Sequence, residues 1–93
     1  MNFGGARFFE TDFKSTRFKD SKWSGAIISD TDLSNAHFEN TDFSGVELSK
    51  VDLSGARLVN ADFSGVELWK VDFKSTFLKN TNLSGADLSR AKT

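Results

Sequence analysis

The chain has 93 residues, enough for one small domain, and its 12 Lys and Arg residues against 13 Asp and Glu residues leave a formal net charge of −1. This balance argues against direct binding to nucleic acid, which typically needs a basic excess. No apolar run is long enough to span a membrane, so we expect no membrane interaction and a cytoplasmic location. The absence of cysteine excludes disulfides and thiolate metal sites, and a single histidine, His37, offers little for imidazole catalysis, so we expect no cofactor.

A large apolar residue recurs at every fifth position from Phe3 to Leu88, in eighteen consecutive units without an insertion. Two positions before each centre, in the column from Ala6 to Ala91, the residue is Ala, Thr, Val or, once, Ser21, and the other three positions are mostly polar. A period of five fits neither the 3.6 residues of an amphipathic helix nor the alternation of a long strand. Because residues two apart share one face of an extended chain, each unit is predicted to be a short extended piece with two inward side chains, followed by a corner.

Four such units are predicted to close one coil, because several residue types recur every twenty positions. Glycine does so from Gly5 to Gly85, and Asp or Asn does so from Asp20 to Asn80. Glycine, Asn and Asp tolerate the positive φ of tight corners, so these two series predict the two sharpest corners of a four-sided coil. A single unit cannot bury its own apolar face, and the coils must therefore stack through backbone hydrogen bonds.

The pattern thus predicts an all-β fold, a quadrilateral parallel β-helix or solenoid of about 4.5 coils with four five-residue units in each, forming one domain over residues 1–93. Residues twenty apart should stack, so that the large apolar centres form ladders inside the coil. The two predicted core ladders are Phe3, Trp23, Phe43, Phe63 and Leu83, and Phe8, Ile28, Leu48, Leu68 and Leu88.

Units such as 61–65, Ala-Asp-Phe-Ser-Gly, and 86–90, Ala-Asp-Leu-Ser-Arg, resemble the repeat of the pentapeptide-repeat family, which reads approximately Ala, Asp or Asn, Leu and two variable residues. The resemblance covers essentially the whole chain and implies a right-handed β-helix. One branch of that family confers quinolone resistance or inhibits gyrase. Resemblance to it suggests an alternative function, a DNA mimic that binds a type II topoisomerase, DNA gyrase, as an inhibitor or quinolone protector. The near-zero net charge and the short rod without loops argue against that alternative.

An acidic ladder is predicted on one side of the coil. Its members are Asp12, Asp32, Asp52 and Asp72. A stripe of carboxylates could imitate DNA phosphates or collect cations. Asp in this position can also hydrogen-bond nearby backbone, and we favour this structural role because lysines on the same side dilute the negative field.

Apolar residues at outward positions are candidate interaction residues, because aromatic side chains on a polar surface are enriched at binding sites. Phe9 and Ile27 should lie diagonally on one side of the coil, and Val59 and Phe77 diagonally on another, whereas Trp69 should stand apart. We expect one or both pairs to meet a partner protein or a second copy.

The sequence offers no catalytic constellation, because the uninterrupted repeat leaves no loop to build a pocket. We therefore expect a non-enzymatic structural or protein-interaction scaffold whose protein partner the sequence does not identify. The repeats run from Phe3 to the last residues, so open backbone edges are expected at both ends, and end-to-end stacking would make a homo-oligomer.

Overall fold

The computed structural model describes residues 2–86, 88–89 and 91–92. Its regular structure consists of strands of two or three residues. These are β1 (Arg7–Phe9), β2 (Arg17–Lys19), β3 (Ile27–Ser29), β4 (His37–Glu39), β5 (Glu47–Ser49), β6 (Arg57–Val59), β7 (Glu67–Trp69), β8 (Val71–Asp72), β9 (Phe77–Lys79) and β10 (Ala91–Lys92). No helix that could cross a membrane occurs within these residues.

All strand pairing is parallel and joins residues twenty apart. One sheet has the order β1-β3-β5-β7, a second has the order β2-β4-β6-β9, and β8 pairs with β10. Between the two four-stranded sheets, isolated parallel bridges such as Asp12 to Asp32 and Asp42 to Asp62 join the remaining sides. The chain therefore winds as a four-sided solenoid with one five-residue unit on each side, which confirms the predicted all-β quadrilateral parallel β-helix.

Every fifth residue from position 5 to position 85 has a positive φ, between 50° and 72°. The prediction of two sharpest corners is therefore wrong, because all four corners of a coil use the left-handed region. Alternate corners are closed by a hydrogen bond such as the one from Ala26 N to Trp23 O, 2.9 Å, and the glycines with positive φ occur only there. The other corners carry residues such as Glu10, Lys50 and Lys70, whose positive φ has no signal in their residue type.

The core is a single column of apolar side chains along the solenoid axis. Both predicted core ladders are buried in the middle coils, where rings from neighbouring coils touch, as for Phe43 and Phe63 with centroids 4.8 Å apart. Phe3, Phe8 and Leu83 are only partly buried. Leu88 is 41% exposed, so its prediction as a buried ladder member is wrong: it lies in the last described coil, with no later described coil to cover it.

The first coil is filled by four phenylalanines that pack edge to face. Ring centroids are separated by 5.7 Å for Phe3 and Phe8, 5.4 Å for Phe8 and Phe13, and 5.5 Å for Phe13 and Phe18. The Trp23 ring, fully buried in the second coil, lies 4.4 Å from Phe3 and 5.1 Å from Phe18. Edge-to-face packing suits aromatic quadrupoles, so this cluster closes the first coil with interlocked rings.

Candidate interaction surfaces

The last described coil ends in an apolar hollow of about 170 Å³. Its lining residues are Phe73, Thr76, Leu78, Leu83 and Leu88. Four of these are the large apolar centres of one coil, one from each side of the solenoid. Leu78 is 45% exposed and Leu88 is 41% exposed, whereas equivalent leucines in the middle coils are buried. We call this surface the apolar end.

Two opposite sides of the solenoid carry the four-stranded sheets, and their outward side chains differ in charge. The Glu67 face consists of the outward residues of β1, β3, β5 and β7, namely Arg7, Phe9, Ile27, Ser29, Glu47, Ser49, Glu67 and Trp69. The Arg57 face consists of the outward residues of β2, β4, β6 and β9, namely Arg17, Lys19, His37, Glu39, Arg57, Val59, Phe77 and Lys79. Among these residues, the first face holds one cation and two carboxylates, and the second holds four cations, one carboxylate and His37.

The Glu67 face contains three of the five candidate interaction residues. Phe9 stacks in register with Ser29, Ser49 and Trp69, so Trp69 lies on the same side as Phe9, three coils along the axis. Trp69 thus shares a column with Phe9 but is separated from it by Ser29 and Ser49, because sixty residues are a whole number of coils. Phe9 is 66% exposed, Trp69 is 40% exposed and Ile27 is half-buried.

A shallow groove runs along this face between its two columns of outward side chains. Ile27, Glu47 and Glu67 lie along one wall, and Ser49 and Trp69 along the other. Glu47 and Glu67 are neighbours in adjacent strands, and hydrogen bonding and repulsion between their carboxyl groups raise the pKa of Glu67. Among the described residues of this column, the only cation is Arg7, which lies two coils from Glu47. The two carboxylates therefore form a local concentration of negative charge.

Cationic side chains form a column on the Arg57 face. His37 stands between Arg17 and Arg57 in register, and the guanidinium of Arg57 lies 4.6 Å from the centroid of the Phe77 ring. Phe77 is 44% exposed, and Val59 lies diagonally from it at the edge of the neighbouring strand. The pair is therefore placed as expected, with Arg57 covering part of the aromatic ring.

The acidic ladder has the register that the sequence predicts, because Asp12, Asp32, Asp52 and Asp72 are successive bridge partners. Each of these carboxylates accepts a hydrogen bond from the backbone N–H two residues later, at 2.8 to 2.9 Å. Hydrogen bonding with the Ser34 hydroxyl, together with the Ser34 backbone and the charge of Lys14, outweighs burial and lowers the pKa of Asp32. The ladder thus stabilises the hydrogen-bonded corners, as the structural interpretation expects.

Within the described ranges, no group of three or more His, Asp or Glu side chains is arranged to hold a metal ion. The exposed apolar residues and charges described above lie at the apolar end and on the two sheet faces.

Comparison with known proteins places the repeat in a family. The sequence model for pentapeptide repeats matches residues 26–65 and 68–92 in eight copies. The chain belongs to the pentapeptide-repeat family. A search of curated protein sequences finds no match.

Two crystal structures of pentapeptide-repeat proteins show the same fold. A protein of the Arabidopsis thaliana thylakoid lumen is 21% identical with a TM-score of 0.73, over 97% of this chain and 59% of that chain. Rfr23 of the cyanobacterium Cyanothece 51142 is 17% identical with a TM-score of 0.69, over 98% of this chain and 86% of that one. The chain thus spans just under three fifths of the length of the Arabidopsis protein.

The separation of charge between the two sheet faces is visible in the sequence only after the outward residues are assigned to sides of the coil. The net charge of −1 averages over sides that carry different residues, and so hides it. The signal was nevertheless present, because sorting the outward residues by position within the twenty-residue coil places Arg17, Arg57 and Lys79 on one side and Glu47 and Glu67 on the opposite one.

Proposed function

We propose that this chain is a non-catalytic scaffold that acts by binding proteins, among them further copies of itself, through its apolar end. Members of the pentapeptide-repeat family are generally structural or interaction proteins. The observation that carries the proposal is the exposure of Leu78 and Leu88 around a hollow formed by the centres of a whole coil. Covering each leucine would contribute about 1 kcal/mol, at roughly 25 cal/mol per Å² of apolar surface.

The occupant that fits this end is another coil of the same kind. In the preceding coil, Phe63 N donates to Asn82 O at 2.7 Å and Gly65 N donates to Ser84 O at 2.9 Å. Leu83 and Gly85 hold the equivalent positions one coil later, so their N–H groups are directed toward a further coil.

The first coil of a second copy would supply matching acceptors. Asn2 and Gly4 are equivalent, twenty residues earlier, to Lys22 and Ser24, whose carbonyl groups accept from Phe3 N and Gly5 N. Head-to-tail stacking would therefore continue the backbone ladder and bring the four phenylalanines of one copy onto the apolar end of the next. Such a contact joins two different surfaces and forms rods that can grow.

The acidic ladder supports a scaffold over the alternative of a DNA mimic that binds a type II topoisomerase. Asp12, Asp32, Asp52 and Asp72 already accept backbone hydrogen bonds within their own corners. Lysines at positions 14 and 74 on the same side further reduce the negative field.

Sedimentation velocity of the purified 93-residue chain at increasing concentration tests the proposal, in about 1 M salt, where attraction between exposed charges is largely screened. We expect the wild-type chain to associate and the double variant Leu78→Lys/Leu88→Lys to remain monomeric, because a charge in the hollow would have to be desolvated. Phe9→Ser is the control, since it removes a similarly exposed apolar side chain from a side of the rod. Association that survives the leucine changes, or a wild-type chain that stays monomeric, would contradict association through the apolar end.

A further inference from the structure

The two sheet faces lie on opposite sides of the solenoid and are complementary to each other. The Arg57 face presents four cations and one carboxylate. The Glu67 face presents two adjacent carboxylates and one cation, Arg7, with Lys50 and Lys70 over the exposed Trp69 at its edge. Both faces also carry exposed aromatic surface, so each combines charge with an apolar contact. Complementary charge on two sides of one molecule directs association between copies.

We propose that the Glu67 face of one copy packs against the Arg57 face of a second copy. This lateral contact goes beyond the proposed function, which concerns the ends of the solenoid, and it uses none of the residues of the apolar end. It is heterologous, because two different surfaces meet, and the pair keeps one free face of each kind.

The size of a side is sufficient for such a contact. The molecule is nearly as tall as it is wide, with Cα extents of 28 × 28 × 23 Å. One of six roughly equal sides therefore holds about one sixth of the 5149 Å² surface, roughly 860 Å². With three of the four strands of each sheet overlapping, as in the register below, each copy buries about 640 Å², or roughly 1,300 Å² in total, at the lower end of the ~1,200–2,000 Å² of specific interfaces.

Antiparallel solenoid axes give one register in which the side chains match. When the Glu67 face of one copy meets the Arg57 face of the other with opposite solenoid axes, the strands of the two faces run in the same direction. The column of first strand residues on one face then lies opposite the column of first strand residues on the other, and the columns of third strand residues likewise lie opposite each other. An offset of one coil then places Glu47 opposite Arg57 and Ile27 opposite Phe77. The same offset places Glu67 opposite His37.

The second outward column is compatible with this register. Ser49 would face Val59, and the Trp69 ring, which lies 4.8 Å from Lys70 Nζ, would face Glu39. Glu39 would thus approach a cation that already stacks on the tryptophan. The register opposes no two like charges in either column.

Charge reversal provides the test. Starting from Leu78→Lys/Leu88→Lys, which lacks end stacking, we compare the chain with unchanged faces, the chain with Glu47→Lys added and the chain with Arg57→Glu added, by sedimentation velocity at about 100 µM protein and about 50 mM salt. Each variant alone opposes like charges and should be monomeric or associate at least about tenfold more weakly. An equimolar mixture of the two variants restores opposite charges across the contact and should associate again.

Several results would overturn the proposal. These are a Leu78→Lys/Leu88→Lys chain that stays monomeric, a reversed variant that associates alone as that chain does, or a mixture that stays monomeric although circular dichroism shows both variants folded. The milder changes Glu47→Gln/Glu67→Gln repeat the test if reversal impairs folding, and an undiminished association constant would count against the contact. Leu78→Lys/Leu88→Lys separates the two proposals, because it should abolish end stacking and leave the salt-sensitive lateral association in place.

Discussion

Truncation of two leucines in the same ladder measures how much of the stability comes from the interior of the stack. Leu48 and Leu88 are large apolar centres on the same side of the solenoid, two coils apart, and they differ mainly in burial. Leu48 is 2% exposed and Leu88 is 41% exposed. We expect Leu48→Ala to lower the free energy of unfolding by about 2 to 5 kcal/mol, because it leaves a cavity in the core column.

Leu88→Ala should cost only about 1 kcal/mol, because its side chain is already largely in water and the site can relax without a closed cavity. A 93-residue domain typically has about 5 to 14 kcal/mol of total stability, so the larger loss would be easily measured. Leu53→Ala, which removes another fully buried centre, should behave as Leu48→Ala does.

Urea denaturation followed by circular dichroism is the appropriate assay, with tryptophan fluorescence as a local probe. Trp23 is fully buried near one end and Trp69 is partly exposed nearer the other, so Trp69→Phe isolates the signal of the buried ring. In a stacked array, terminal coils can unfold before the rest, and coincident transitions by both probes establish whether a single free energy applies. Equal losses for Leu48→Ala and Leu88→Ala would refute the reasoning, because burial would then not determine the cost.

Two further predictions concern ionisation. The hydroxyl and backbone of Ser34 and of Ser64 lower the pKa of Asp32 and of Asp62. The two ionised carboxylates therefore contribute fully to stability above the ordinary Asp pKa, and this contribution is lost as the pH falls below about 4. Asp32→Asn/Asp62→Asn should consequently flatten the dependence of the melting temperature on pH in that range. A pH profile identical to that of the wild type would contradict this prediction. Glu67, whose pKa is raised by the neighbouring Glu47, should be destabilising when charged. Glu67→Gln should consequently raise the melting temperature at neutral pH, and this gain should vanish as the wild-type carboxyl becomes protonated in acid; a gain that persisted there would argue against repulsion.

The sequence predicts the winding of this chain because the same constraint acts on every unit. A side chain that must face the core recurs every fifth position, and residues such as Phe43 and Phe63 come into contact without any information beyond the period of twenty. The conformation of single corners is harder to predict. Lys50 and Lys70 adopt positive φ because the flanking units are held in register, although lysine has no local preference for that conformation.

Exposure and charge depend on neighbours that the local pattern does not contain. Leu88 has the same residue type and position in its unit as Leu48, and only the presence of a covering coil distinguishes them. The charge of a face likewise appears only when residues such as Arg17 and Arg57 are assigned to one side. The sequence therefore determines the column and the corners, whereas the binding surfaces follow from which side chains the coil brings together.

The ends and the sides of the solenoid should respond differently to salt, because different forces act on them. Association through the apolar end would remove leucine and phenylalanine from water, and added salt does not weaken that contribution. Association between the Arg57 and Glu67 faces would depend on exposed charges, which are largely screened at about 1 M salt, where the Debye length is about 3 Å. Both contacts join unlike surfaces and leave one surface of each kind free, so neither closes into a ring by itself.

We therefore expect high salt to leave single rods joined end to end, and low salt to add lateral pairing of rods with opposite axes. A salt titration followed by small-angle scattering distinguishes these cases, since lateral pairing thickens the scattering particle and end stacking only lengthens it; thickness that did not change with salt would contradict the charge-driven contact.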